Sequence, residues 1–136
     1  MGVRIGFGGD LKWLGLLACN SLTTYSSMAN AGAIPLKATH MVCGTSTVSA
    51  VGEDFGAYWA KKMLGGIFKS PETIANAWFD AGHDQYQYAT NLTGTITFRV
   101  AGYPECMNDT IKNNVAPSNP SPAPGNLTKV DQQVYP

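Results

Sequence analysis

An almost uncharged apolar run near the N-terminus is the feature that most constrains how this chain can fold. The run from Lys12 to Leu22 follows the turn sequence Gly8-Gly9-Asp10 and contains Ala18-Cys19. A short apolar run bounded by turn residues is typical of a strand buried on both faces. In an open α/β sheet, the carboxyl ends of the strands face the crevice where ligands bind. The pattern therefore predicts a buried strand that places Cys19 at the functional edge of a sheet.

The remaining periodicities predict a second strand, two helices and a third strand. Residues 37–45 are apolar and β-branched toward their end, which favours a second buried strand. Residues 52–64 and 70–82 each place apolar side chains on one helical face, and Ser70 before a proline and an acid predicts where the second helix begins. Residues 95–100 alternate, which predicts a strand with one solvated face. We therefore expect an α/β fold with a mostly parallel short sheet flanked by helices.

Composition divides the chain into a folded domain and a tail. Residues 1–114 contain every predicted strand and helix, which suits a single α/β domain. Residues 115–136 are rich in proline, serine and asparagine, which predicts an extended polyproline-like backbone with no core of its own. Such a tail is ordered only when a partner surface holds it.

Charge and hydropathy exclude two classes of partner. Lys+Arg and Asp+Glu both number 9, so no basic surface is expected to bind nucleic acid. No apolar run approaches the roughly 18 residues that cross a bilayer, so no transmembrane segment is expected. Only 13% of the residues are charged. With abundant Gly, Ser, Thr and Asn, this composition favours a secreted or cell-surface protein.

Several short motifs resemble a known family in their order and spacing. They are Asp10–Leu14 with Ala18-Cys19, then Thr39–Gly44, Gly52–Gly56 and Ala77–Ala81. Together they resemble the second half of caspase-like domains, most closely the caspase-related bacterial and archaeal domains of unknown function, and more distantly the caspase/gingipain peptidases. The resemblance covers roughly residues 10–82 and implies part of a three-layer sandwich.

The resemblance also implies a role for Cys19. In peptidases of that class, a cysteine at this position is the nucleophile, and a His-Gly pair at the end of the preceding parallel strand is the general base. No histidine precedes Cys19 in this chain. Three explanations stay open: the chain is a fragment of a larger domain, it is an inactive relative, or the missing half comes from another chain. Without a base, Cys19 is expected to be a small buried residue at a strand end.

Other chemically active side chains favour structural roles. His40 is expected to be a hydrogen-bonded core or interface residue, and His83 is expected to complement the dipole of the second helix at its C-terminus. The spacing of the large aromatic residues favours core packing over a ligand platform. These aromatic residues are Trp13, Phe55, Trp59 and Trp78. The acids Asp80, Asp84, Glu105 and Asp109 lack the spacing of a metal loop, so we assign no metal and no cofactor.

Two kinds of covalent modification fit the sequence. Asn91, Asn108 and Asn126 each begin an N-glycosylation acceptor pattern, in keeping with exposed turns of a secreted glycoprotein. Cys43 and Cys106 could form a disulfide, which the sequence alone does not decide.

The leading hypothesis is a non-catalytic structural module of a secreted or surface protein. It would associate with copies of itself or with other protein chains through its sheet edge and C-terminal tail. The alternative is a caspase-like cysteine peptidase, a hydrolase with Cys19 as nucleophile and a histidine supplied by a segment absent from this chain. A third option is a carbohydrate- or peptide-binding domain that uses exposed aromatic side chains.

Overall fold

The computed structural model describes residues 12–22, 39–47, 54–86, 94–117 and 127–135. These residues form an α/β fold with a four-stranded sheet and two α-helices, which confirms the predicted class. The elements in chain order are β1 (Trp13–Gly15), β2 (Met41–Thr45), α1 (Phe55–Leu64), α2 (Ile74–Tyr86), β3 (Ile96–Gly102), a 3₁₀ helix (Pro104–Cys106) and β4 (Thr128–Val134).

The sheet is mixed, so the expectation of a mostly parallel sheet is wrong. The strands lie in the order β1-β2-β3-β4, and only β1 and β2 are parallel. The direction of α2 explains why β3 runs back. Ile74, at the start of α2, donates its N–H to Asp109 beside the amino end of β2, whereas Gly82 lies against Phe98 near the carboxyl end of β2. The chain therefore leaves α2 at the carboxyl edge, and β3 returns antiparallel to β2.

An aromatic cluster joins both helices to one face of the sheet. The ring centroid of Trp78 lies 4.7 Å from that of Phe55 and 5.0 Å from that of Trp59, both in edge-to-face geometry. Phe55 also stacks on Phe98 at 5.9 Å. The indole N–H of Trp78 donates to the carbonyl oxygen of Gly44 at 3.1 Å. These contacts confirm that the aromatic side chains pack in the core.

The opposite face of the sheet is also covered at β3. All seven residues of β3 are buried, so the expected solvated face is wrong. Arg99 explains part of this coverage, because its guanidinium contacts two other segments. It binds both carboxylate oxygens of Asp131 at 2.7 and 2.8 Å and donates to the carbonyl oxygen of Leu22 at 2.8 Å. A charged side chain at an alternating position can therefore be buried when its donors are satisfied.

The C-terminal segment contributes a strand to the sheet. β4 pairs with β3 along its whole length, from Val134 opposite Ile96 to Thr128 opposite Gly102. Val134 is buried, whereas the middle of the strand is exposed. Residues 128–134 contain no proline and carry β-branched side chains, which favours pairing on a neighbouring strand. This part of the predicted tail therefore docks on its own domain.

Several predicted element boundaries differ from the structure: β2 begins at Met41, α1 begins at Phe55 and α2 extends to Tyr86. β1 ends at Gly15 and is half-buried, so the expected fully buried strand reaching Cys19 is wrong. α2 begins at Ile74, because the hydroxyl of Thr73 accepts the N–H of Asn76 at 3.1 Å and so acts as the N-cap in place of Ser70.

Candidate functional site

Cys19 lies in a turn at the carboxyl edge of the parallel pair β1 and β2. Backbone bonds tie both ends of this turn to the end of β2. Leu16 N–H donates to the carbonyl oxygen of Cys43 at 2.8 Å, and Leu22 N–H donates to that of Thr45 at 2.9 Å. The Cys19 side chain is exposed. Cys19 therefore lies at the predicted sheet edge, although it is exposed within a turn and is not buried at a strand end.

Two hydroxyl side chains hold this turn against β2. Ser21 Oγ accepts the N–H of Thr45 at 3.0 Å and donates to the carbonyl oxygen of Leu16 at 3.2 Å. Thr45 Oγ1 donates toward the carbonyl oxygen of Ala18 at 3.0 Å. Because these bonds flank Cys19 on both sides, its thiol is presented from a fixed backbone.

The residue after Cys19 adopts an uncommon backbone conformation. Asn20 has a φ of 55°, which is the left-handed region. Asparagine tolerates this conformation better than most residues, but a cost remains. Such outliers cluster at functional sites, where the surrounding structure maintains them. Among the described residues, this turn is the part whose geometry most resembles a site for an exposed nucleophile.

The two histidines do not complete a site with Cys19 in the way that a peptidase requires. His40 directly precedes β2, and β2 runs parallel to β1, so His40 lies at the amino edge and Cys19 at the carboxyl edge. The five residues of β2 separate these edges by about 16 Å at 3.3 Å per residue. His83 is exposed in the last turn of α2.

His40 and Asp109 instead form the buried centre of a cluster at the amino edge of the sheet. We call Trp13, His40, Cys106, Asp109 and Val115 the amino-edge cluster. His40 Nδ1 lies 2.5 Å from Asp109 Oδ2, and the indole N–H of Trp13 donates to the same oxygen at 3.1 Å. The side chains of His40 and Asp109 are almost fully buried. The prediction that His40 is a hydrogen-bonded core residue is confirmed.

The other groups of Asp109 hold further segments together. Oδ1 accepts the backbone N–H of Val115 at 3.1 Å, and the Asp109 carbonyl oxygen accepts the N–H of Ile74 at 2.8 Å. The thiol of Cys106 lies 3.2 Å from the carbonyl oxygen of Val115. One buried residue therefore joins β1, β2, the start of α2 and the loop after the 3₁₀ helix.

The amino-edge cluster fits a structural role better than a metal site. A nitrogen of His40, the sulfur of Cys106 and an oxygen of Asp109 lie within 4.8 Å of one another. Ligand atoms about 2.0–2.3 Å from a tetrahedral zinc ion would lie roughly 3.3–3.8 Å apart. The direct contact between His40 and Asp109 is shorter, and the carboxylate already accepts bonds from three groups. A metal would have to displace this network.

Neither buried thiol has the character of a nucleophile. Burial, Asp109 and Glu105 raise the pKa of Cys106 to about 12, and burial alone raises the pKa of Cys43 strongly. Both residues therefore retain their protons at neutral pH. They are not joined by a disulfide.

A cleft of about 280 Å³ lies beside the connection between α1 and α2. Its lining includes Tyr58, Lys61, Lys62, Lys69, Ser70, Glu72 and Asp84. Lys62 pairs with Asp84 at 2.8 Å. Burial and the neighbouring Asp80 raise the pKa of Glu72, and its Oε2 is covered without a hydrogen-bond partner. No sequence pattern predicted this cleft, because its residues are spread over two helices and their connection.

The predicted glycosylation sites fall partly within the described residues. Asn108 is exposed beside the amino-edge cluster, whereas Asn91 and Asn126 lie outside the described residues. Glycosylation of all three therefore stays a prediction.

Asp109 is the buried hydrogen-bonding residue whose role sequence reasoning missed. The residues around Asp109 are typical of an ordinary loop that carries a solvated acid. Its partner His40 lies 69 positions away in the sequence. Only a signal linking distant positions could have joined the two residues.

The fold and the exposed Cys19 turn define an α/β domain with a mixed sheet and a thiol at the carboxyl edge of its parallel pair. The chain matches the family described as Domain of unknown function (DUF6345) over residues 2–129 and belongs to that family. No curated protein and no solved structure showed a significant match. Among the residues that the structure describes, no helix has the length and apolarity to cross a membrane.

Proposed function

We propose that this chain is a non-catalytic assembly module of a secreted or surface protein, and that it associates with a second copy through the open edge of β4. The observation that carries the proposal is the exposure of this C-terminal strand at the end of the sheet. Among the described strands, only β3 pairs with β4. An exposed strand edge is a ready template for pairing with another chain.

The hydrogen-bond pattern identifies which backbone groups β4 offers. Ser46 N–H donates to Thr97, and Tyr103 N–H donates to His40. Odd-numbered residues of β3 therefore direct their backbone groups toward β2, and even-numbered residues direct theirs toward β4. The register then places the N–H and C=O groups of Lys129, Asp131 and Gln133 on the outer edge of β4.

The charges along β4 favour pairing with a second copy. If two antiparallel β4 strands meet about Val130, each Lys129 lies opposite the partner's Asp131. Both residues are among those with outward backbone groups, so this register satisfies their hydrogen bonds and brings Lys129 beside a carboxylate that Arg99 already binds. It would also cover Val130, which is partly exposed on the face that carries the helices. The two sheets would then form one eight-stranded sheet.

A proline substitution at the outer edge tests this assembly. Lys129→Pro removes an outward N–H and leaves the bonds between β3 and β4 in place. We expect sedimentation equilibrium to show a dimer for the original chain and a monomer for Lys129→Pro. Lys129→Glu should also weaken the dimer, because two like charges would then face each other.

Lys129→Thr is the matched control, because it removes the same charge but keeps the backbone N–H. It should retain measurable dimer. Circular dichroism and thermal unfolding check that each variant is folded. An original chain that stays monomeric at all accessible concentrations contradicts the proposal, as does a folded Lys129→Pro variant that dimerises normally.

A second candidate function rests on the Cys19 turn. The exposure of Cys19 and the left-handed conformation of Asn20 favour a caspase-like cysteine peptidase whose base comes from a segment absent from this chain. The order of β1, the Cys19 turn, the parallel strand β2 and two helices also supports the resemblance.

The pH dependence of Cys19 alkylation in the native assembly separates the two functions. An enzyme should show fast alkylation that is already at its plateau near neutral pH, because a cationic partner would stabilise the thiolate. The assembly module should show a rate that rises with pH as for an ordinary thiol. Peptide mass identifies the site, and the buried Cys43 and Cys106 are internal controls that should react only after unfolding.

A further inference from the structure

The connection between α1 and α2 displays two large apolar side chains to solvent. Ile67 is 95% exposed and Phe68 is 99% exposed. They occupy the two central positions of a tight turn. Gly66 N–H donates to the carbonyl oxygen of Lys69 at 2.8 Å, and Lys69 N–H donates to the carbonyl oxygen of Gly66 at 3.4 Å. We call residues 66–69 the apolar tip. Side chains this exposed contribute little to the stability of the domain.

The apolar tip is held at a fixed position on the domain. Gly65 N–H donates to the carbonyl oxygen of Lys61 at 3.1 Å, and Glu72 N–H donates to that of Lys62 at 3.1 Å. Gly65 has a φ of 70°, and a Cβ there would lie 2.6 Å from the carbonyl oxygen of Lys69. Glycine is therefore required where the chain turns into the tip. Because backbone hydrogen bonds hold the connection at both ends, Ile67 and Phe68 are presented to solvent on a backbone that is already ordered.

Lysine side chains line the cleft beside the apolar tip. Lys61 and Lys69 are exposed, and both line the cleft beside the tip together with Lys62. The hydroxyl groups of Tyr58 and Ser70 line the same cleft. Its acids are less available to repel an anion. Asp84 is paired with Lys62, and the Oε2 atom of Glu72 is buried away from solvent.

From this arrangement we propose that the apolar tip inserts into the surface of an anionic lipid bilayer. Ile67 and Phe68 would enter the boundary between head groups and acyl chains, and Lys61 and Lys69 would contact the lipid phosphates. Exposed apolar side chains flanked by lysine are the combination that binds anionic membrane interfaces. Charge complementarity favours this occupant over an uncharged apolar protein surface. The inference is independent of pairing at β4.

Vesicle sedimentation with the full chain tests the proposal. The probes are vesicles of phosphatidylcholine alone and vesicles that also contain phosphatidylglycerol. We expect binding to the anionic vesicles that weakens as salt is raised, and at least tenfold weaker binding to the neutral ones. The double variant Ile67→Ser/Phe68→Ser should lower the partition coefficient on anionic vesicles more than tenfold. Lys61→Gln/Lys69→Gln should lower it severalfold and remove most of the salt dependence.

Leu17→Ser is the matched control, because Leu17 is 48% exposed and lies in the turn at the carboxyl edge of the sheet, whereas the tip adjoins the start of α2 at the amino edge. It should bind vesicles as the original chain does. Absence of binding to anionic vesicles overturns the proposal, and so does binding that the Ile67→Ser/Phe68→Ser variant retains. If that variant instead abolishes self-association while vesicles never bind, the tip contacts a second copy and the lipid proposal is wrong. Because the substituted side chains are exposed, thermal unfolding of each variant should match that of the original chain.

Discussion

Replacement of Asp109 by asparagine should destabilise the domain strongly, although the two side chains have nearly the same shape. Asp109 accepts from the ring of His40, the indole of Trp13 and the backbone of Val115, and it is 2% exposed. The amide puts an NH₂ donor in place of one acceptor oxygen. Whichever way it is oriented, at least one donor then faces another donor in a buried site.

The size of the effect follows from the number of bonds lost. A hydrogen bond to a charged group contributes about 1.5–3 kcal/mol, and a buried donor without an acceptor costs about 1–3 kcal/mol. We therefore expect Asp109→Asn to lower the free energy of unfolding by about 3 kcal/mol. For a domain of this size, that change corresponds to a decrease in Tm of about 10 °C.

Urea unfolding, followed by tryptophan fluorescence, measures this change. Asp84→Asn is the matched control, because Asp84 is about half exposed in its pair with Lys62. An exposed pair contributes about 0–1 kcal/mol, so the control should unfold almost as the original chain does. If Asp109→Asn lowers the free energy of unfolding by no more than Asp84→Asn does, the hydrogen bonds of Asp109 do not stabilise the domain as proposed.

Two further changes have expected effects on stability. Gly82→Ala should cost about 1–2 kcal/mol in urea unfolding, because the new Cβ would lie 2.7 Å from the ring of Phe98, whereas Gly56→Ala in α1 meets nothing within 4 Å and should stabilise by up to about 1 kcal/mol. A destabilised Gly56→Ala or a neutral Gly82→Ala would refute this reasoning. Arg99 lowers the pKa of Asp131 below its ordinary value of 3.8, so this pair stabilises the fold above that pH and its contribution is lost as pH falls through the lowered pKa. The difference in unfolding free energy between the original chain and Asp131→Asn should therefore be about 1–2 kcal/mol at neutral pH and shrink below about pH 4, and a difference that persists in acid would contradict it.

Local patterns predicted most elements but not how they combine. The periodicity of residues 52–64 and 70–82 indicated two helices, and both are present with shifted starts. β3 was predicted as a strand, but its burial on both faces depends on Arg99 finding acceptors on Asp131 and Leu22. An alternating pattern cannot reveal such partners, because they lie far away in the sequence.

The candidate sites divide in the same way. The apolar run and its following polar residues were enough to place Cys19 at a sheet edge. The role of Asp109 was not predictable, because a loop acid has no local pattern that distinguishes a buried acceptor from a solvated side chain. The exposure of Ile67 and Phe68 was likewise decided by the turn between the helices.

The sequence by itself determined the α/β class, the two amphipathic helices and the aromatic core, because these depend on spacing along a few turns or strand residues. Only the tertiary structure decided that the sheet is mixed, that residues 128–134 form its edge strand and that His40 meets Asp109. Strand direction and long-range hydrogen bonds depend on the edge of the sheet at which α2 ends. The position of α2 on the sheet is determined by packing between segments far apart in sequence.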